Sequence, residues 1–153
     1  MKKVLLVGFL AGAFAVLAFH QALLHVLHHN WPWFAGLTGL PSGFRPAGSG
    51  FSLRPLPPFG VPAVVSAAFW GGLWGVLLAG LVRWLRLPDL LMGVVIGIAA
   101  TFVGFTLVAE LRGNAPWGGG DPMVWARALT LNIAFGWGAA FLMRPFGVGG
   151  NQR

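Results

Sequence analysis

The chain has 153 residues, of which 57% are hydrophobic and 8% charged, and its net charge is +7 at neutral pH. Soluble domains hold about a quarter charged residues, so this chain has too little charge to coat a water-facing surface and reads as a membrane protein. Cysteine and tyrosine are absent, which excludes disulfides, thiolate metal centres, thiol nucleophiles and tyrosyl acids; the basic residues sit singly or in pairs beside apolar runs, so the positive excess reads as membrane topology rather than nucleic-acid binding.

A bilayer core of about 30 Å takes roughly 20 apolar residues at 1.5 Å each. Four stretches qualify, and the first covers about residues 4–28. Lys2 and Lys3 at its start imitate a signal peptide. The apolar run, however, exceeds the usual roughly 7–15 residues and shows no small-x-small cleavage site before a soluble domain, so it is expected to remain as an anchor. Its far part, "FHQALLHVLHH" (Phe19–His29), holds all four histidines of the chain. Wound at about 100° per residue, Gln21, His25, His28 and His29 share one stripe, with His20 to its side.

A loop of about residues 30–61 follows, opening with "NWPWF" and closing with "RPLPPFGVP". Its prolines favour an extended, poorly helical path. Trp31, Trp33 and Phe34 suit the headgroup layer, and the loop is expected to lie over the outer surface. The second span, about 62–84, meets the third, about 90–111, through a few residues around Leu87–Pro88–Asp89, so the two are expected to be antiparallel neighbours. "RGNAPWGGGD" (Arg112–Asp121) is a turn-forming stretch before the fourth span, about 122–143. Asp121–Pro122 gives that span an N-cap followed by proline at the first helical position.

Orientation follows the basic residues. An inside N-terminus puts Lys2, Lys3, Arg83, Arg86, Arg144 and Arg153 inside, close to the span ends, and Arg45, Arg54, Arg112 and Arg127 outside. The expected fold is therefore all-α: an integral membrane four-helix bundle, N-in and C-in, with a long first outer loop, forming a single transmembrane domain over residues 1–153.

Without a hydrophobic force between helices in lipid, association relies on small residues that let backbones approach. Gly8 with Gly12, Gly71 with Gly75, and Gly93 with Gly97 all have Gly-xxx-Gly spacing; Gly80 extends the second seam and Thr101 the third. These are expected to pack helices within one bundle or between copies rather than to line a pore. They leave surfaces for a homo-oligomer or a larger membrane complex. "VGFLAG" (Val7–Gly12) and "MGVVIG" (Met92–Gly97), with "LWG" (Leu73–Gly75) and "GWG" (Gly136–Gly138), hint at two related hairpins.

At the outer level the spans bring together His20, Gln21, His25, Glu110, Arg127 and Asn132, with Thr106 and Ser66 nearby, while the inner halves are nearly bare of polar groups. An arginine inside a span needs a partner or must snorkel. Glu110 is the acid at matching depth, so a Glu110–Arg127 pair is the sharper expectation, with Asp121 or outer phosphates as alternatives. His25 with His28 or His29 has the spacing of a shared divalent metal, completed from His20, Glu110 or Asp121; a histidine patch at the aqueous interface without an ion is the weightier reading. A bis-histidine haem would need a second copy of the chain, and no cofactor is expected. There is no His-Glu-x-x-His, no Ser/His/Asp constellation and no phosphate-binding loop, so no enzyme is expected.

"FHQ" (Phe19–Gln21), "PPFGVP" (Pro57–Pro62), "FWGGLWG" (Phe69–Gly75) and Asn132 followed by "GWG" give the chain, over nearly its whole length, a resemblance. It resembles a group of small uncharacterised proteobacterial inner-membrane proteins. The resemblance implies a bacterial inner (plasma) membrane and four spans, points to His20, Gln21 and Asn132, and attaches no activity; the cluster His25, His28 and His29 is not part of it. The expected role is structural or accessory, a helix-packing subunit or assembly partner of a membrane complex, with lipid and no nucleic acid as partners. The alternative is a permease-like transporter for a small solute or metal, with the histidines as an outer-face vestibule.

Overall fold

The computed structural model describes residues 2–85 and 87–148; Arg86 and Arg153, used above for orientation, lie outside the described residues. It is mostly helical. Four helices are long and apolar enough to cross a membrane: Lys2–His29, Ala63–Leu85, Asp89–Leu111 and Pro122–Phe146, here the first to fourth spans. Hydrocarbon offers backbone groups no water to bond, so long apolar runs close their hydrogen bonds within a helix. The first and third spans each contain a widened π turn, at Val16–Gln21 and Gly104–Val108.

The first span packs along the second, the third along the fourth, and the first and fourth meet, giving a row in the order second, first, fourth, third. Glycines set both close seams. A methyl built at Gly8 would lie 2.7 Å from the Gly75 carbonyl oxygen and 2.7 Å from Ala79 Cβ, and one at Gly12 would collide with the Gly71 carbonyl. In the other pair, methyls at Gly93 and Gly97 would collide with the carbonyls of Gly136 and Asn132. Helix backbones come this near only where side chains are missing. Gly80 departs from the expectation, with nothing within 4 Å of its built Cβ. It lies five residues beyond Gly75 rather than four, and that extra step turns it off the seam.

The two seams also revise the repeat read from sequence. Contact by contact, Gly75 corresponds to Gly136, Ala79 to Ala140 and Gly71 to Asn132. "LWG" and "GWG" match two residues out of that register, whereas "VGFLAG" and "MGVVIG" match in it. At corresponding places the Cβ of Gly71 would meet the Val16 side chain, and Asn132 bonds Thr101. An apolar contact in one pair is thus a hydrogen bond in the other.

A core of Ala15, Val16, Leu78, Met92, Ile96 and Phe135 fills the middle of the row. The second and third spans, expected to be antiparallel neighbours, touch only sparsely. The Leu87–Pro88–Asp89 connection ties their ends, but close packing goes to whichever faces carry glycine, and these helices offer theirs to the first and fourth spans.

The long loop departs from the extended path expected of it. Trp31–Thr38 is a helix, with Pro32 in its first turn, where the missing N–H has no helical partner to lose, and Gly39 in left-handed conformation (φ 68°) just after it. Trp31 is buried and stacks on Phe44 with ring centres 6.3 Å apart, against Leu27 and Leu131. Thereafter the path is irregular but for a turn at Ser42–Phe44 and a short antiparallel pairing of Pro55–Leu56 with Val61–Pro62.

The turn between the third and fourth spans is held by the Trp125 indole N–H donating to the Trp117 carbonyl (2.8 Å), and Asp121 caps the fourth span by accepting from the Met123 N–H (2.8 Å). At the opposite end, Arg144 and Asp89 form a two-bonded ion pair, Nε to Oδ2 at 2.7 Å and Nη2 to Oδ1 at 2.8 Å.

Candidate functional site

Between the second and third spans lies a cavity of about 620 Å³. Trp70, Trp74 and Leu77 form one wall, and Val103, Gly104 and Leu107 the other. Val16 and His20 of the first span and Asn132 and Phe135 of the fourth make the floor. Arg112 stands at the rim on the loop-bearing end. The cavity exists because the tight glycine contacts draw the second span onto the first and the third onto the fourth, leaving the outer members of the row apart. Both π turns border it, which fits the recurrence of such turns at binding sites.

The floor carries polar groups whose orientation can be deduced. The Phe51 N–H donates to the Gln21 side chain at 2.8 Å, so the atom receiving it is the amide oxygen. The Gln21 nitrogen therefore faces His20 Nδ1 (3.3 Å), and a nitrogen that receives an amide N–H carries no proton of its own. Neutral His20 then holds its proton on Nε2. The same logic fixes Asn132. The Thr101 hydroxyl gives its single proton to the Gly97 carbonyl (3.0 Å), so it can only accept from Asn132, whose nitrogen lies 3.1 Å away. Asn132 keeps Oδ1 as an acceptor. Among the described residues neither His20 Nε2 nor Asn132 Oδ1 has a hydrogen-bond partner in the protein, and neither is a sealed, unsatisfied interior atom.

The other residues expected in the polar cluster do different work. Gln21, besides orienting His20, ties the loop to the first span through Phe51; Gly50, in left-handed conformation (φ 75°), lets the loop pass so close that a Cβ would lie 2.7 Å from the Gln21 carbonyl. His25 Nδ1 donates to the Ser49 carbonyl (3.0 Å) and His28 Nδ1 to the Pro46 carbonyl (2.9 Å). His29 lies beside both, tilted against His25 with ring centres 4.3 Å apart and edge-on to His28 at 5.0 Å. The metal reading of His25, His28 and His29 is not supported by this arrangement. Among the described residues no group of three or more His, Cys, Asp or Glu is placed to hold an ion. The imidazoles of His25 and His28 hold loop carbonyls.

The Glu110–Arg127 pair does not form. Arg127 Nη1 donates to the carbonyls of Gly43 (3.1 Å) and Arg45 (3.0 Å), and Glu110 is exposed. Once the loop folds over the fourth span, its carbonyls offer acceptors within reach of the guanidinium, with no carboxylate to desolvate. Among the described residues the ion pair present is Asp89–Arg144, at the end of the molecule where sequence reading placed Arg144 only as a topology signal.

Of the expected cluster, then, the structure brings His20 and Asn132 to one cavity, uses Gln21, His25 and Arg127 to hold the loop, and leaves Glu110 outside. Sequence reading missed Trp70, Trp74 and Phe135 as lining residues, because they look like any lipid-facing aromatics. The adjacent "HQ" pair in an otherwise apolar run was the available signal. Comparisons with family models, with curated proteins and with solved structures found no match.

Proposed function

We propose that the protein is a non-enzymatic, accessory component of a bacterial inner membrane: a four-helix bundle with both termini in the cytoplasm and the long loop outside, serving as a subunit or assembly partner of a larger membrane complex. What carries this reading is the use to which the polar side chains are put. Gln21, His25, His28 and Arg127 all bond loop backbone, and Thr101 with Asn132 joins two helices. Groups committed to scaffold bonds hold a surface in shape rather than move protons or form bonds. The glycine seams are engaged inside the chain, so a partner would meet the looped face or the exposed aromatic side chains Phe14, Phe69, Trp84 and Phe141.

A transporter reading draws on the cavity, whose floor holds His20 and Asn132. The cavity ends near Leu77 and Ala100, and beyond them Leu78, Val82, Met92 and Ile96 pack without polar groups. That favours a site that holds something over a path that conducts it. The test is purification of the full chain in mild detergent, with size measurement and mass spectrometry of co-purifying chains. A stoichiometric larger assembly supports the accessory role. A lone chain that carries a solute across vesicle membranes would replace it with the transporter.

A further inference from the structure

The cavity between the second and third spans points to a ligand, and this goes beyond the accessory role without depending on it. We propose that it binds a hydroxylated aromatic lipid, a phenol or hydroquinone with an apolar tail. The hydroxyl oxygen accepts from His20 Nε2–H and the hydroxyl proton goes to Asn132 Oδ1. The ring lies between Trp70, Trp74 and Phe135, and the tail leaves between the second and third spans.

The chemistry of the floor selects the head. Hydrogen-bonding atoms without protein partners are expensive at hydrocarbon depth, so a ligand that satisfies them binds more tightly than one that only fills space. Of the floor side chains, His20 has a donor without a partner among the described residues, Nε2–H, and Asn132 such an acceptor, Oδ1, each assigned by its second bond, to Gln21 and Thr101 respectively. A hydroxyl answers both; a quinone carbonyl answers only the donor and a methyl ether lacks the proton. Apart from the His20 imidazole no acidic or basic side chain lines the floor, and Arg112 is at the rim, so an uncharged head suits the site. Three aromatic side chains among the lining suit a ring, whose faces and edges pack favourably against indole and phenyl groups. A volume of about 620 Å³ holds a ring with part of its chain, and the sparse contact between the second and third spans leaves the remainder a route to the lipid.

The experiment uses the purified full chain in detergent with a decyl-substituted hydroquinone, its dimethyl ether and the matching quinone. Quenching of tryptophan fluorescence reports occupancy, since Trp70 and Trp74 line the cavity. The hydroquinone is expected to bind about tenfold or more tighter than the dimethyl ether, from the loss of a buried hydrogen bond. Asn132→Leu should erase most of that preference, His20→Phe should weaken all three ligands alike because each offers an oxygen to its Nε2–H, and Gly80→Ala, which does not line the cavity, should keep both affinity and preference. Equal affinity for hydroquinone and ether would overturn the proposal, as would an unchanged preference in Asn132→Leu or an unchanged affinity in His20→Phe. If either floor variant does not fold, the comparison of the three ligands on the unaltered protein still decides. Failure here leaves the accessory reading standing, because that reading is decided by what co-purifies.

Discussion

Replacing Gly12 by alanine tests the idea that glycine contacts set the arrangement of the helices. A methyl at Gly12 would lie 2.8 Å from Gly75 Cα, whereas ordinary contact begins at 3.4 Å, so the first two spans must part by at least about 0.6 Å. It would also collide with the Gly71 carbonyl. Both obstacles are backbone, so no side chain can swing aside. A radial gap of about 0.5–1 Å forfeits a quarter to a half of each dispersion contact along the seam, and overpacking of this kind costs about 1–3 kcal/mol. At about 2 kcal/mol the unfolding equilibrium shifts roughly 30-fold. Gly80→Ala is the matched control: the same change in the same kind of helix, with nothing within 4 Å of the new methyl. Helix propensity alone makes it neutral or stabilising by up to about 1 kcal/mol. The assay is reversible unfolding in mixed micelles of mild detergent and dodecyl sulfate, followed by tryptophan fluorescence. Equal stability of Gly12→Ala and the unaltered chain, or equal loss in both variants, would refute the argument.

Arg127→Ala removes the donor that holds the carbonyls of Gly43 and Arg45, so the loop should open more often; at about 1 kcal/mol, amide exchange around residues 40–54 rises roughly fivefold while the spans keep their protection. Exchange that rises equally in the spans would show that Arg127 supports the helices instead. Arg144→Asp should loosen the junction of the third and fourth spans by setting two carboxylates side by side, and the combined Asp89→Arg, Arg144→Asp exchange should recover part of the loss in a melting experiment; a double variant no better than the single one would mean that the bonded pair of the structure does not matter to stability. Thr101→Val leaves Asn132 without its acceptor, and interhelical bonds of this kind in membranes contribute about 0.6 kcal/mol, with a maximum near 1.7, so a modest loss is expected in the same unfolding assay. A loss as large as that of Gly12→Ala would show Thr101 to be part of the packing seam itself.

Sequence alone marked the element type and the runs long and apolar enough to cross a membrane. With 57% hydrophobic and 8% charged residues, and four apolar runs long enough to cross a bilayer, helices were the only way to satisfy the backbone, and Asp121–Pro122 marked the start of the last one. The glycine spacings were equally legible, because a four-residue step keeps small residues on one helix face whatever lies opposite. Which helices those faces would meet was not legible, and from that choice follow the row order, the sparse contact between the second and third spans, and the cavity between them. Sequence reading likewise paired Arg127 with Glu110 by depth alone. It could not weigh the backbone carbonyls of a loop that folds back over residues 43–51, and those carbonyls took His25, His28 and Arg127. Local patterns depend on the period of one helix and survive any partner. The assignment of a polar atom depends on what else arrives within hydrogen-bonding reach, and only the folded chain decides that.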